Sequence, residues 1–188
     1  MGRWDPDARG RLLQSAMTLY LARGYDAVTV AEIADDAGLT KRTFFRHFAD
    51  KREVLFAGAA AFEAGVVAAV AGAPAGASPA ETVVDALAEV SEAQLTRWAE
   101  YARARRDLIA SSADLREREL IKTAALTGAV AAALRDRGIP APTAILTAHG
   151  GVAAFTVAYD RWVDDDGRAD LRALIHQTLT DLRTALTP

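Results

Sequence analysis

Thr40, Lys41, Arg42 and Thr43 are four consecutive polar donors, two of them cationic, at a point where a helix is expected to begin. Donors gathered at a helix N-terminus can reach base edges and phosphates, and the helix dipole there favours anions. Arg42 carries the planar fork that matches O6 and N7 of guanine. Charge is concentrated in the same stretch: between Thr40 and Arg52, Lys41, Arg42, Arg46, Lys51 and Arg52 face only Asp50. Lys51, near the start of the following helix, is placed to contact phosphate and fix register. The whole chain of 188 residues has a formal net charge of -3, but its two parts differ. The first 52 residues hold nine Lys/Arg against seven Asp/Glu, and the remainder thirteen against eighteen. A small basic head on an acidic body is the asymmetry to explain, and a solvated charged face is the plain alternative.

Other chemistries find little footing. There is no cysteine, which removes disulfides, thiolate metal sites and cysteine nucleophiles. His47, His149 and His176 lie far apart without ligand spacing, so neither a metal nor a cofactor is expected. Asp85, Glu89, Glu92 and Glu100 could pair with His149 for acid–base work, yet no motif brings them together. No phosphate loop, zinc-binding histidine pair or nucleophile elbow occurs, and the expectation is that the protein is not an enzyme. The N-terminus lacks the apolar run of a signal peptide. The longest apolar stretch, about residues 64–77, is broken by Pro74 and does not read as a membrane span. A cytoplasmic protein with no membrane partner is expected.

The elements that must hold the basic cluster are helices. Hydrophobic residues make up 51% of the chain, enough for a core, and the dominance of alanine favours helix. No strand-length window alternates, so the expected fold is all-α with about nine helices. Asp5-Pro6 opens the first helix, whose Leu12, Leu13, Ala16, Met17 and Tyr20 form one face, and Arg23-Gly24 ends it. Thr29-Val30-Ala31-Glu32 is a capping box that opens the second. Thr40 caps the third, in which Phe44 and Phe48 point inward. Asp50 is expected to cap a long fourth helix to about Ala71, and 72–77 is a breaker. Ser78-Pro79-Ala80-Glu81 reads as a second capping box, and the last helix carries Leu171, Leu174, Ile175, Leu179, Leu182 and Leu186.

Residues 29–48 thus make two short helices joined through Ala37-Gly38-Leu39, a helix-turn-helix whose second member would enter the major groove. The run from Gly24 to Val30, Ile33-Ala34, Ala37 to Thr40, Thr43 to Phe48, and Lys51 resembles the DNA-binding head of the tetracycline-repressor (TetR) family. The resemblance covers about residues 8–55. It implies a head over 1–52 and a helical ligand-binding and dimerisation body over 53–188, the latter matched by its helical pattern alone. It implies a dimeric repressor, rarely an activator, released from a palindromic operator in double-stranded DNA by a small ligand. Carried over residue by residue, it sets Thr40, Lys41, Arg42 and Thr43 at the recognition-helix start, with Thr29 among the DNA-facing set. Phe45, His47 and Lys51 fall at phosphate-facing positions. Phe45 stands where the family commonly has tyrosine, so its ring can pack on a sugar while the hydroxyl-to-phosphate bond is missing.

The body says less. Phe62, Trp98, Tyr101 and Phe155 either line an apolar ligand cavity or simply pack. His149 and Tyr159, on a helix rich in Ala and Gly, are either ligand groups or satisfied core and interface polar groups. Gly150-Gly151 allows a neighbouring helix to approach closely. Periodicity and the family resemblance assign the homodimer contact to the last two helices, about 142–163 and 168–186. Stretches around Arg106, Leu115 and Leu134 are similar to family members that bind acyl-CoA-like ligands, and Arg103, Arg105 and Arg106 could meet an anionic head group. The alternatives are a helical lipid or small-molecule carrier, or an enzyme, with an incidental head.

Overall fold

The computed structural model describes residues 7–96 and 99–187. The described residues form nine helices and no strand: α1 (Ala8–Arg23), α2 (Val30–Asp36), α3 (Lys41–His47), α4 (Ala59–Gly72), α5 (Pro79–Gln94), α6 (Ala99–Ser111), α7 (Ala113–Asp136), α8 (Ala141–Asp164) and α9 (Leu171–Leu186). The Asp5-Pro6 start signal lies outside the described residues. Two compact units result, the first holding the chain through Ala57 together with Ala104–Glu119, the second Gly58–Arg103 and the chain from Leu120.

The first unit takes in residues 53–57, which the sequence pattern placed at the start of the long fourth helix. Val54, Leu55 and Phe56 are all buried. The segment folds instead as tight turns, with the N–H groups of Leu55, Phe56 and Ala57 donating to the carbonyls of Arg52, Glu53 and Val54. The helix expected from Asp50 begins only at Ala59. Asp50 still caps: its Oδ1 accepts from the N–H groups of Arg52 and Glu53 at 2.8 and 3.1 Å.

In the first unit α1 buries Ala8, Leu12, Ala16 and Tyr20, a face repeating every fourth residue. Ile33 and Ala34 of α2 and Phe44 of α3 are buried as well, with Phe48 beyond the end of α3. Phe44 and Phe48 rings lie 5.5 Å apart, and Tyr20 meets Tyr25 edge-on at 5.4 Å. Gly38, at φ 64°, makes the turn between α2 and α3, a backbone region open to glycine at little cost.

The second unit is built on α5, which packs on α4, α8 and α9, while α8 and α9 pack on each other. Val83 and Leu87 of α5, Val66 and Val70 of α4, Val130 and Leu134 of α7, and Ala148 and Val152 of α8 share one core. A second core gathers Val84, Trp162, Leu171, Ile175 and Leu179. Leu186, the last apolar residue of the α9 series, is 77% exposed and takes no part. Pro79 occupies the first turn of α5 as expected, but Ser78 makes no capping bond. Glu81 faces Arg183 of α9 at 3.7 Å, and Asp85 with His176 and Glu92 with Arg172 continue this antiparallel ladder at 3.3 and 2.8 Å. Exposed pairs of this kind add little stability each.

Of the paired glycines, one makes the close approach. A methyl group on Gly151 would lie 2.5 Å from Cγ1 of buried Val83, whereas one on Gly150 would meet Leu182 at an ordinary 3.5 Å. Gly151→Ala should therefore destabilise by about 1–3 kcal/mol through overpacking. Gly150→Ala should gain up to about 1 kcal/mol of helix propensity. Urea unfolding of the two variants checks the contrast, and equal effects would remove the α5–α8 contact as its cause. By length and composition α8 could cross a membrane, and 33% of its apolar window is buried within the protein.

Candidate nucleic-acid interface

Local chemistry sets the two short helices of the head. Thr29 Oγ1 accepts from the N–H of Glu32, and Glu32 Oε2 accepts from both the N–H and the hydroxyl of Thr29 at 2.8 Å. This is the full capping box. Arg23 pairs with the same carboxylate at 2.8 Å. Held by the Thr29 hydroxyl, the Thr29 N–H and then Arg23, the Glu32 carboxyl is lowered from 4.5 to about 2. A depressed acid contributes its stabilisation above its ordinary value and loses it as pH falls through the folded one. The box should thus persist through mild acid and open near pH 2. An NMR titration of Glu32 checks this, and a midpoint near 4.5 would show that the box is not formed in solution.

Thr40 repeats the device on α3, accepting from the N–H of Thr43 at 3.1 Å, with the two hydroxyls also 3.1 Å apart. Once Phe44 is inward, helical geometry leaves Lys41, Arg42, Phe45 and Arg46 outward, and all four are exposed. Phe45 is 56% exposed, its ring edge-on to Phe44. Lys41 and Arg42 have no hydrogen-bond or ion-pair partner among the described residues. Arg46 Nη2 lies 3.4 Å from Nε2 of half-buried His47. Thr40, Lys41, Arg42, Phe45 and His47 thus sit on or beside one short helix, with Arg46 added to them. Thr29, Thr40 and Thr43 all take part in caps, and their hydroxyls already have partners within the head.

Lys51 is corrected. Its ammonium does not project outward toward phosphate. It donates to the carbonyls of Tyr25 and Val28 at 3.0 and 3.1 Å, reaches that of Asp26 at 3.5 Å, and stands 4.1 Å from the Tyr25 ring centroid. The three N–H bonds of an ammonium are thereby occupied. The carbonyls lie in the turn just before α2, where no helix partner exists for them, and a cation is the group that satisfies several at once. Tyr20 closes the arrangement by donating from its hydroxyl to the Lys51 carbonyl at 2.8 Å.

Side chains from 104–119 complete this unit, and nothing in the local sequence pattern marks them. Asp114 accepts from the Tyr25 hydroxyl at 3.1 Å and from Arg52 at 2.7 Å. Burial, then the bond to Asp114, pushes the Tyr25 phenol well up. Arg52 also grips Asp50, and its guanidinium is raised by both carboxylates. Burial alone would raise Asp50, but Arg52 and the Glu53 N–H outweigh it and hold the carboxyl down. Arg118 pairs with Glu53, and Arg105 donates to the Leu55 carbonyl at 3.0 Å.

The candidate ligand residues are not gathered into one cavity. Phe62, Phe155, Tyr159 and Trp162 form a row with centroids 5.5, 6.0 and 5.7 Å apart. The first three are half-buried against the cores, which is packing as aromatics ordinarily do it. Tyr101 is 42% exposed, and His149 lies on the exposed face of α8. Trp98 lies outside the described residues. A groove of about 510 Å³ opens between α4 and α7, walled by alanines and Val67 with Glu63, Asp136 and Arg137, and none of the five candidates among the described residues lines it. Arg103 caps the carbonyl end of α8, donating to Val163 and Asp164 at 3.1 and 2.9 Å. With Arg105 on Leu55, two of the three arginines considered for an anionic head group are already engaged.

An all-helical chain with an N-terminal helix-turn-helix and an outward basic α3 defines a class of DNA-binding architecture. Residues 12–57 match the family model described as bacterial regulatory proteins, tetR family, and residues 77–187 match that of the MftR C-terminal domain. The second match covers well over half of the sequence, and the chain belongs to the TetR family. The transcriptional regulator TcmR of Streptomyces glaucescens is 39% identical over 82 residues, 44% of this chain and 36% of that protein. The match thus spans little more than a third of that relative. The fatty acid degradation regulator FadR of Bacillus halodurans has a similar fold, with 18% identity, 98% of each chain covered and a TM-score of 0.62. FadR of Thermus thermophilus, a repressor solved in complex with lauroyl-CoA, shares the fold at 22% identity and TM-score 0.59, covering 96% of this chain and 95% of that one.

Proposed function

We propose that the protein is a cytoplasmic transcriptional repressor that binds a near-palindromic operator as a homodimer and is released by a small ligand. The observation that carries this reading is α3, whose Lys41 and Arg42 are exposed without partners among the described residues while Phe44 anchors the helix from beneath. Lys41, Arg42 and Thr40 address bases and the nearby phosphates; Phe45, Arg46 and His47 flank the backbone. Two such heads read successive major grooves about 34 Å apart.

The dimer forms through α8 and α9. Leu146, Ala153 and Val157 follow one exposed stripe of α8, with Leu146 73% and Val157 50% exposed, and Gly150 keeps its centre low. The effector belongs to the second unit. An acyl-CoA is the first class to test, given the lauroyl-CoA complex of the Thermus protein. A ligand releases DNA only through its differential affinity for the two conformations.

The test is fluorescence anisotropy with DNA from the flanks of the protein's own gene, across a salt series. Tight binding to one near-palindromic segment that weakens steeply with salt supports the regulator. Weak binding, equal on every fragment, overturns it in favour of a carrier or enzyme with an incidental head.

A further inference from the structure

The DNA-reading pair is held from both ends by one carboxylate that comes from far along the chain. The segment entering α2 carries Tyr25, and the carbonyls of Tyr25 and Val28 that hold Lys51. The segment leaving α3 carries Asp50, Lys51 and Arg52. Asp114, in the first turn of α7, accepts from Tyr25 with one oxygen and from Arg52 with the other. Arg105 and Arg118 also tie this corner to the exit segment, through Leu55 and Glu53. Of these three side chains only Asp114 also binds the entry segment.

We propose that Asp114 is a positioning residue for DNA binding, which bridges the entry of α2 to the exit of α3 and so sets the orientation of α3. The DNA-reading unit is then bipartite, made of the first 57 residues and the 104–119 corner. A carboxylate suits the bridge because its two oxygens accept in different directions at once. Lys51 fixes the same two segments through the backbone, and the Tyr25 ring beneath its ammonium links the two ties. The inference rests on the DNA-binding reading above.

The experiment uses the full chain, with Asp114→Ala, Asp114→Asn, Tyr25→Phe and the double variants. DNA affinity is measured at least ten degrees below each unfolding transition, beside Val70→Ala, a core truncation in α4 that destabilises away from the head and from the α8–α9 contact. Asp114→Ala should bind the specific segment about tenfold more weakly, as expected for loss of a shared partner. Asp114→Asn keeps one acceptor and the side chain's shape, and should fall between. Tyr25→Phe should cost severalfold on the wild type and nothing further on Asp114→Ala. Val70→Ala should bind as the wild type does.

Wild-type affinity in a folded Asp114→Ala or Asp114→Asn protein would overturn the proposal. So would losses from Tyr25→Phe and Asp114→Ala that simply add. If Asp114→Ala does not fold, Asp114→Asn decides by the same criteria. A wild-type protein that binds no DNA specifically overturns the regulator reading and this one with it, while a binding wild type with indifferent variants overturns this one alone.

Discussion

Lys51→Ala is expected to lower the stability of the protein by about 1.5–3 kcal/mol, the range for a charged donor removed from its acceptors. The loss has a specific source. Removal of the ammonium leaves the Val28 carbonyl in a part-buried turn without its donor, leaves the Tyr25 carbonyl only the Val28 N–H at 3.4 Å, and takes away the cation above the Tyr25 ring. A contact with phosphate predicts something else: little change in stability and a fall of about 0.9 in the slope of log affinity against log salt. The two measurements are independent, urea unfolding for the first and anisotropy for the second. A lowered unfolding midpoint with a slope shifted by less than half of that amount supports the internal role. An unchanged midpoint with the full change in slope would show that Lys51 leaves its carbonyls to serve DNA.

Arg42→Ala is expected to do the reverse. Its side chain is exposed and has no partner among the described residues, so unfolding should change by no more than about 0.5 kcal/mol, as for surface sites generally. Binding to the cognate segment should weaken by about 1–3 kcal/mol, with preference relaxed at one base pair. Binding to random DNA should weaken much less. Competition with single-base operator variants reads the relaxed position directly. Equal losses on cognate and random DNA would make Arg42 a phosphate contact, and the reading of bases would pass to Lys41 and Thr40.

The contrast between these two residues shows what a sequence can and cannot express. Both are cations in one basic stretch, nine positions apart, and the resemblance to the TetR family treats both as DNA-facing. Their fates diverge because Lys51 follows α3 and lies beside the turn before α2, whose carbonyls need a donor. Arg42 lies on the outer face of a helix whose inner face Phe44 has claimed. A charge pattern reports the kind of side chain but not which backbone groups stand near it after folding. The same applies to the body. Phe62, Phe155 and Tyr159 were legible as aromatics at helical spacing, but whether such rings line a space or fill one depends on the neighbouring helices. The structure lays them in a packed row with Trp162.

What the sequence determined by itself is the part governed by interactions a few residues long. The all-helical fold, the Thr29–Glu32 box, the Thr40 cap, the Gly38 turn, the inward Phe44 and the outward Lys41 and Arg42 follow from periodicity and capping, and the structure has each of them. The local signals failed where a nearby alternative won. Glu81 faces Arg183 while Ser78 makes no cap bond, and residues 54–56 fold as tight turns ahead of α4. Tertiary structure alone decided that Lys51 binds carbonyls and that 104–119 joins the head. It also decided that Gly151, not Gly150, meets Val83. Asp114 and Tyr25 stand 89 residues apart, and no local pattern can name partners at that range. Only the packed chain, in which a carboxylate finds both a phenol and a guanidinium within reach, selects them.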